Sequence, residues 1–229
     1  NLDDHHLSRK IKMLGHPIIN KQYDISVWMD ASIIWKRPIS SFVNQYLNDH
    51  PFVAFKHSSR NSIQEEAITC LKLQKDNKEN ILRPLSFFDS EHFPDNIGLC
   101  EMTVFIKKHN DPTVIQAMNL WFQMNQEYSK RDQLSFMYVV WKTGLKIDSI
   151  NLSIWSNDWF TNTRHNSKKT IDSIGLYYGD INNPFILDNY YDIKPKQKHD
   201  VCSIRFTPHL DCRIITIILP YIPGLIVKD

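Results

Sequence analysis

Short apolar segments alternate with helical patterns over the first two thirds of the chain. Three segments are short and rich in aromatic and β-branched residues, which predicts buried strands at 23–29, 51–57 and 98–108. Apolar residues recur at helical spacing in four others, which predicts helices at 37–47, 58–73, 111–128 and 129–144. Strands that alternate with helices indicate an α/β layer architecture.

Two stretches depart from this alternation. Residues 75–95 are polar with few periodic signals, which predicts a loop over the surface or over a site. From about residue 171, strand-like segments follow one another without a helical pattern, at 175–180, 201–208 and 212–219. The chain is therefore expected to hold an α/β domain over 1–165 and a β-rich module over 166–229.

Composition and charge exclude some classes of function. The 229-residue chain is 42% hydrophobic and 12% aromatic, so it can bury a real core. Its 27 basic and 25 acidic residues nearly balance, and we therefore expect no nucleic-acid partner. With only six glycines, it contains no glycine-rich phosphate loop of the known patterns.

The cysteines and the apolar runs indicate the cellular compartment of the chain and whether it crosses a membrane. The four cysteines are far apart and form no C-x-x-C pair, which argues against a zinc site and a disulfide framework. The first ten residues are polar, and the longest apolar run, 214–227, is shorter than the ~20 residues of a spanning helix. We expect a cytoplasmic chain without a transmembrane segment, with the inner face of a membrane as an alternative location.

Asp30 is the most suggestive single residue, because it directly follows the strand-like segment ISVWM. Ligands of α/β sheets bind at the carboxyl ends of strands. A carboxylate there can hold a divalent cation that neutralises a diphosphate. The alternative is a plain turn residue, since aspartate favours turns.

A second cluster lies in FKHSSRNSIQEEA, at the turn from the second strand into a helix. Arg60 could clamp a phosphate or carboxylate with two hydrogen bonds, and His57 could donate a proton or bind an anion. Ser62 and Glu65 fit a capping box, which would leave them purely structural. Arg60 could equally be a solvated surface charge.

A third cluster, SKRDQLSF, precedes the last predicted helix. Ser129 and Asp132 fit a capping arrangement, which would explain the acid without any chemistry. Arg131 and Gln133 are not explained by capping and could face a site at the start of the helix. His165 lies in a polar loop, where a lone histidine is usually a surface residue.

Taken together, four segments resemble one family of glycosyltransferase-type domains, long described as a domain of unknown function. They are SRKIKMLGH, YDISVWMDASI, FKHSSRNSIQEEA and SKRDQLSFMYVVWK, and the resemblance covers residues 7–150. The family includes plant proteins linked to cell-wall and mucilage polysaccharide and bacterial polysaccharide-synthesis proteins. The resemblance implies a GT-A-like, Rossmann-like mixed sheet with flanking helices. Only 29 residues precede Asp30, so we expect the N-terminal part of that fold to be missing.

The resemblance also implies roles for residues. The family's acidic D-x-D element falls on Asp30-Ala31-Ser32, where serine replaces the second acid. The implied cofactor is Mn²⁺ or Mg²⁺, held by Asp30 and His165. The implied donor-binding residues are Asp30, Ser32, His57, Arg60 and Arg131, and the implied catalytic residues are Glu66, Asp132 and Gln133.

The expected activity is transfer of a sugar from a nucleotide-sugar donor to a glycan or polysaccharide acceptor. A non-catalytic carbohydrate-binding or scaffolding protein of the same fold is one alternative. A hydrolase that uses its carboxylates is another. The C-terminal segments LYYGD…PF and SIRFTPHLDCRIITI are similar to part of a β-sandwich module that follows glycosyltransferase domains in bacterial surface-polysaccharide proteins.

Overall fold

A computed structural model describes residues 4–30 and 32–162, together with three later strands at 177–180, 183–186 and 214–217. Within this part of the chain the elements follow one another in the order α1 (Asp4–Leu14), α2 (Pro17–Gln22), β1 (Ile25–Met29), β2 (Ile33–Trp35), α3 (Ile39–Tyr46), β3 (Phe52–Lys56), α4 (Ile63–Lys72), α5 (Lys78–Ser90), β4 (Cys100–Lys108), α6 (Pro112–Glu127), α7 (Gln133–Thr143), β5 (Ile147–Ile150), β6 (Phe160–Asn162), β7 (Tyr177–Asp180), β8 (Asn183–Ile186) and β9 (Ile214–Ile217). None of the described helices combines the length and apolarity needed to cross a bilayer.

The main sheet has the strand order β5-β3-β4-β1-β9-β7-β8, and β2 pairs with β6 in a second, two-stranded sheet. Strand β4 is antiparallel to its two neighbours β1 and β3, whereas β5 is parallel to β3 and β9 is parallel to β1. The sheet is therefore mixed, and the prediction of an α/β chain with a mixed sheet and flanking helices is confirmed. The features specific to the GT-A fold stay predictions.

Three strand ends meet at one edge of this sheet. Because β4 runs against β1 and β3, its amino end lies beside their carboxyl ends. The backbone N–H of Asp30 donates to Thr103 O at 2.9 Å, and that of His57 donates to Leu99 O at 2.8 Å. The residues that follow β1 and β3 are thus held next to the first residues of β4.

The pairing of β3 with β4 is irregular at the same edge. Ala54 pairs with Phe105, but Phe55 pairs with Glu101, so the register shifts between two consecutive residues of β3. Such bulges bend a strand and change the direction of its side chains, and they are frequent next to functional sites. The shift places Glu101 at the edge, opposite the end of β3.

Two apolar cores cover the two faces of the sheet. Along β3, Phe52 and Ala54 belong to the core under helices α1 and α4–α7, while Val53 and Phe55 belong to the core under α3 and the small sheet. This alternation is what a strand buried on both faces requires. Two helices on the first face, α4 and α7, start in the segments that carry the predicted site residues.

The start of α4 is fixed by three side chains. Ser62 Oγ accepts the N–H of Glu65 at 3.1 Å, which confirms the predicted Ser62 cap. Glu65 Oε2 accepts the N–H of Asn61, the residue before the cap, at 2.6 Å, so the reciprocal bond of a capping box is shifted by one residue. Asp95 accepts the N–H groups of Ile63 and Gln64 at 2.8 and 3.1 Å. Together they satisfy backbone donors that the first helical turn leaves open.

Two local predictions are wrong. The segment 75–95 contains helix α5, because Ile81, Pro84 and Phe88 form a buried stripe that its many polar residues obscure. Ser129 and Asp132 do not form a capping pair, since Ser129 Oγ accepts the N–H of Arg131 and the Asp132 side chain makes no cap bond. Helix α7 still ends near Gly144 as predicted, with a positive φ of 68° there.

The C-terminal predictions are only partly covered. Strands β7 and β9 lie within the predicted segments 175–180 and 212–219, and β8 lies outside the predicted segments. The predicted strand at 201–208 lies outside the described residues. The division into 1–165 and 166–229, and the β-sandwich module, stay predictions.

Candidate active site

A buried carboxylate, Asp132, forms the centre of the polar cluster at the sheet edge. Its Oδ2 lies 2.7 Å from Lys12 Nζ and accepts a hydrogen bond from Arg9 at 2.7 Å. Asp132 is 5% exposed and Lys12 is 2% exposed. Burial opposes ionisation of Asp132, but the charges of Lys12 and Arg9 outweigh burial and hold the pKa of this carboxyl far below its usual range.

Helix α1 supplies both cations. Arg9 and Lys12 are three residues apart and therefore share one helical face. Lys107 of β4 anchors the end of this helix, because its Nζ donates to the carbonyls of Lys12, at 3.2 Å, and Met13. Burial lowers the pKa of Lys107 to about 7. Sequence reasoning missed all three residues, although Arg9 and Lys12 lie in the family-like segment SRKIKMLGH.

Lys12 also connects Asp132 to the end of β1. Its Nζ lies 3.4 Å from Asp30 Oδ1, which in turn accepts a hydrogen bond from Trp28 Nε1 at 2.9 Å. The Lys12 ammonium lies 5.4 Å from the centre of the Trp28 ring, within range of a cation–π interaction. The Asp30 side chain is 37% exposed, so it is the solvent-facing end of this chain of charges.

Hydrogen bonds to Asp76 and Trp121 hold the loop before α7. Asp76 accepts hydrogen bonds from Ser129 Oγ at 2.9 Å and from the N–H of Lys130 at 3.3 Å. Trp121 Nε1 donates to Asp132 O at 2.8 Å. These bonds position the segment that carries Arg131, Asp132 and Gln133.

Arg131 extends the cluster towards α4. Burial disfavours its charge, yet Asp132, Cys70 and Glu66 more than compensate and raise the pKa of Arg131. Cys70 donates to Glu66 Oε1 at 3.4 Å. Burial, and next the charge of Glu66, raise the pKa of the Cys70 thiol to about 11, so it stays protonated.

Glu66 and Arg60 form the end of the cluster that reaches the surface. Arg60 Nε lies 2.6 Å from Glu66 Oε2, with Glu66 buried and the Arg60 side chain 26% exposed. Arg60 comes from the turn after β3, and Glu66 from the first turn of α4. The Ser62 cap, the Glu65 side chain and Asp95 fix the backbone at the start of α4, and this backbone holds the ion pair in place.

His57 at the end of β3 is neutral and fixes the turn that follows this strand. Its Nδ1 accepts the N–H groups of Ser59 and Arg60, both at 3.1 Å, so the ring proton must be on Nε2. Nε2 lies 3.3 Å from Glu101 Oε1. Burial, followed by the charge of Arg60, lowers the pKa of His57 to about 4.

Glu101 was also missed from the sequence, because nothing in GLCEMTVFIKK distinguishes its acid from an ordinary exposed strand position. Its side chain is 15% exposed at the bulged end of β4. Burial raises the pKa of Glu101, Arg60 counteracts that rise, and Glu66 adds to it. A carboxylate with a raised pKa beside a neutral histidine is suited to accepting a proton.

A comparison with protein families identifies the chain. The family model described as TOD1/MUCI70, glycosyltransferase-like domain, matches residues 2–167. The chain belongs to the TOD1/MUCI70 family. The sequence-based resemblance to a glycosyltransferase-type domain is thereby confirmed. Searches of the curated proteins and of the solved structures found no significant match.

The TOD1/MUCI70 domain brings most of the predicted site residues together. One chain of charged and polar contacts contains Asp30, His57, Arg60, Glu66, Arg131 and Asp132. Gln133 is buried in the first turn of α7, and Ser32 is buried in the turn after β1. His165 lies outside the described residues. The catalytic and donor-binding roles of these residues stay predictions.

The described part of the TOD1/MUCI70 domain does not fit a divalent cation held in the D-x-D manner. Within it, no three His, Cys, Asp or Glu side chains converge as metal ligands. Asp30 Oδ1 already faces Trp28 and the Lys12 ammonium. Ser32, at the place of the second acid, is buried. The prediction of Mn²⁺ or Mg²⁺ at Asp30 and His165 stays untested.

The neutral state of His57 predicts a pH-dependent stability. The folded-state pKa of about 4 lies below the ordinary 6.5, so the unfolded chain takes up the proton first as the pH falls. His57 therefore stabilises the fold above pH 6.5 and loses that contribution between 6.5 and 4. In urea titrations, His57→Gln should reduce the fall in unfolding free energy over this window by up to about 3 kcal/mol.

His50→Gln is the matched control, because it removes a half-exposed histidine at the opposite end of β3. This variant should keep most of the wild-type pH dependence. An equal pH dependence in His57→Gln and the wild type would contradict a neutral, buried His57.

Proposed function

We propose that this chain transfers a sugar from a nucleotide-sugar donor to a glycan or polysaccharide acceptor. The observation that carries the proposal is the ion-paired cluster at the carboxyl ends of β1 and β3, in a domain of a glycosyltransferase-like family. In open α/β sheets this edge is where ligands bind. The cluster offers exposed polar groups at both of its ends.

The donor would lie between Asp30 and Arg60, the partly exposed ends of the cluster. The Arg60 guanidinium can donate two parallel hydrogen bonds to a phosphate. The Asp30 carboxylate can accept hydrogen bonds from sugar hydroxyls of the donor. Because both side chains are tied to buried partners, they are already oriented before the donor arrives, which reduces the entropy lost on binding.

The buried members would position these groups rather than touch the substrate. Glu66 is 3% exposed and Asp132 is 5% exposed, so neither can reach a sugar in this conformation. Glu66 holds Arg60, and Asp132 holds Lys12 beside Asp30. Gln133 is buried beneath them, and Arg131 is half-buried beside it.

Glu101 is our candidate for the group that takes the proton. In the transfer step the acceptor hydroxyl oxygen bonds to the anomeric carbon, and the bond from that carbon to the diphosphate breaks. The bonding electrons leave with the nucleoside diphosphate, and the hydroxyl proton moves to the Glu101 carboxylate. His57 lies beside this carboxylate, with Nε2 3.3 Å from Glu101 Oε1.

The Asp30 assignment predicts a loss of donor binding without unfolding. Purified chain incubated with a panel of UDP- and GDP-sugars and glycan acceptors should release free nucleoside diphosphate. Asp30→Asn should weaken binding of the active donor by about tenfold or more, as expected for one charged hydrogen-bonding group. Isothermal titration calorimetry measures the affinity, and circular dichroism verifies the fold.

Asp24→Asn is the control, because Asp24 is an exposed acid directly before β1, at the opposite end of the same strand. Equal donor affinity in Asp30→Asn and Asp24→Asn would remove Asp30 from the site. Saccharide binding without release of nucleoside diphosphate would favour the non-catalytic alternative. Hydrolysis of a glycan or lipid in the absence of any nucleotide sugar would favour the hydrolase.

The Glu101 assignment predicts a separation of turnover from binding. Glu101→Gln keeps the shape of the side chain but removes its ability to take a proton, so turnover should fall about 100-fold or more. Affinity for the nucleoside diphosphate should stay within about twofold. The exposed Glu79→Gln is the matched control. A Glu101→Gln variant with wild-type turnover would exclude Glu101 as the base.

A further inference from the structure

The Lys12 ammonium lies between two carboxylates at the point where a metal ion would be expected. It is 2.7 Å from Asp132 Oδ2 and 3.4 Å from Asp30 Oδ1, and only 2% of its side chain is exposed. The centre of the Trp28 ring lies 5.4 Å from the Lys12 ammonium, and that of the Phe105 ring lies 6.0 Å from it. The fold thus places the Lys12 ammonium group beside Asp30.

We propose that the Lys12 ammonium takes the place of a divalent cation at this site, so that a nucleoside diphosphate binds here without a metal. The statement about the nucleotide rests on the proposed function, whereas the statement about the cation does not. Asp30 would then accept hydrogen bonds from the ligand's hydroxyl groups instead of coordinating a metal.

The position of Lys12 makes Asp30 a poor metal ligand. A divalent ion bound to a carboxylate lies about 2.2 Å from its oxygen. Because Lys12 Nζ is 3.4 Å from Asp30 Oδ1, such an ion would lie within a few ångströms of the ammonium. Two cations at that separation in a partly buried site repel each other strongly.

The charges around Lys12 also disfavour a bound metal ion. Among the described residues of the cluster, four carboxylates face four cations, so no excess negative charge remains to attract a metal. The carboxylates are Asp30, Glu66, Glu101 and Asp132, and the cations are Arg9, Lys12, Arg60 and Arg131. The described cluster alone therefore lacks the excess of carboxylates with which proteins hold Mg²⁺ or Mn²⁺.

Removing the ammonium should create a metal site. Lys12→Met keeps the length and the apolar stem of the side chain but leaves Asp30 and Asp132 facing a gap with one fewer positive charge. Titration with Mn²⁺, followed by the electron paramagnetic resonance signal of the free ion, should show no Asp30-dependent binding in the wild type. Lys12→Met should bind Mn²⁺ on the order of tenfold more tightly or better.

The double variant Lys12→Met/Asp30→Asn should lose the gained affinity, which shows that the metal sits at this site. A folded Lys12→Met variant without gained affinity would overturn the proposal. So would Mn²⁺ binding by the wild type that Asp30→Asn abolishes. That last comparison requires no change at Lys12, so the proposal remains open to refutation even if Lys12→Met fails to fold.

A separate measurement tests whether a nucleoside diphosphate binds without a metal. Calorimetric titration of the wild-type chain with UDP and with GDP, in EDTA and in Mn²⁺, should give affinities within about twofold of each other for whichever nucleotide binds. Nucleotide binding that requires Mn²⁺ would overturn the proposal. Absence of nucleotide binding in both buffers would count against the proposed function, while the Mn²⁺ titrations would still decide the role of Lys12.

Discussion

The ionised carboxylate of Asp132, buried beside the start of α7, is the constraint on which the candidate site depends. A charge of this kind is tolerated inside a protein only when it is paired and hydrogen-bonded. Arg9 and Lys12 provide that pairing, and both come from α1. Helix α1 is in turn fixed to the sheet by Lys107. The ion pairs of this one carboxylate, together with Lys107, therefore hold α1, α7 and the sheet together.

The remaining geometry of the site follows from this point. Lys12, once held by Asp132, lies beside Asp30 and gives the end of β1 its positive neighbour. Arg131, adjacent to Asp132 in sequence, is stabilised by the charge of Glu66, which holds Arg60 at the end of β3. The two exposed ends of the cluster are therefore positioned by buried charges and not by the flexible side chains alone. Preorganisation of this kind suits the proposed transfer of a sugar from a diphosphate.

Local patterns in the sequence were sufficient for most elements and insufficient for the partners inside the site. The Ser62 cap of α4 and the end of α7 at Gly144 were predicted because their signals lie within a few residues. Helix α5 was missed because its buried stripe is diluted by polar residues. Lys12 and Asp132 are 120 positions apart, and no periodicity or spacing links residues that only the folded sheet and helices bring together.

A double-mutant cycle between Lys12 and Asp132 tests the central claim most directly. Unfolding free energies of the wild type, Lys12→Met, Asp132→Asn and the double variant would be compared, with the exposed pair Arg37 and Asp158 as the reference cycle. We predict a coupling free energy of at least about 1.5 kcal/mol for the buried pair and under about 0.5 kcal/mol for the reference. A coupling between Lys12 and Asp132 below about 0.5 kcal/mol would contradict the account.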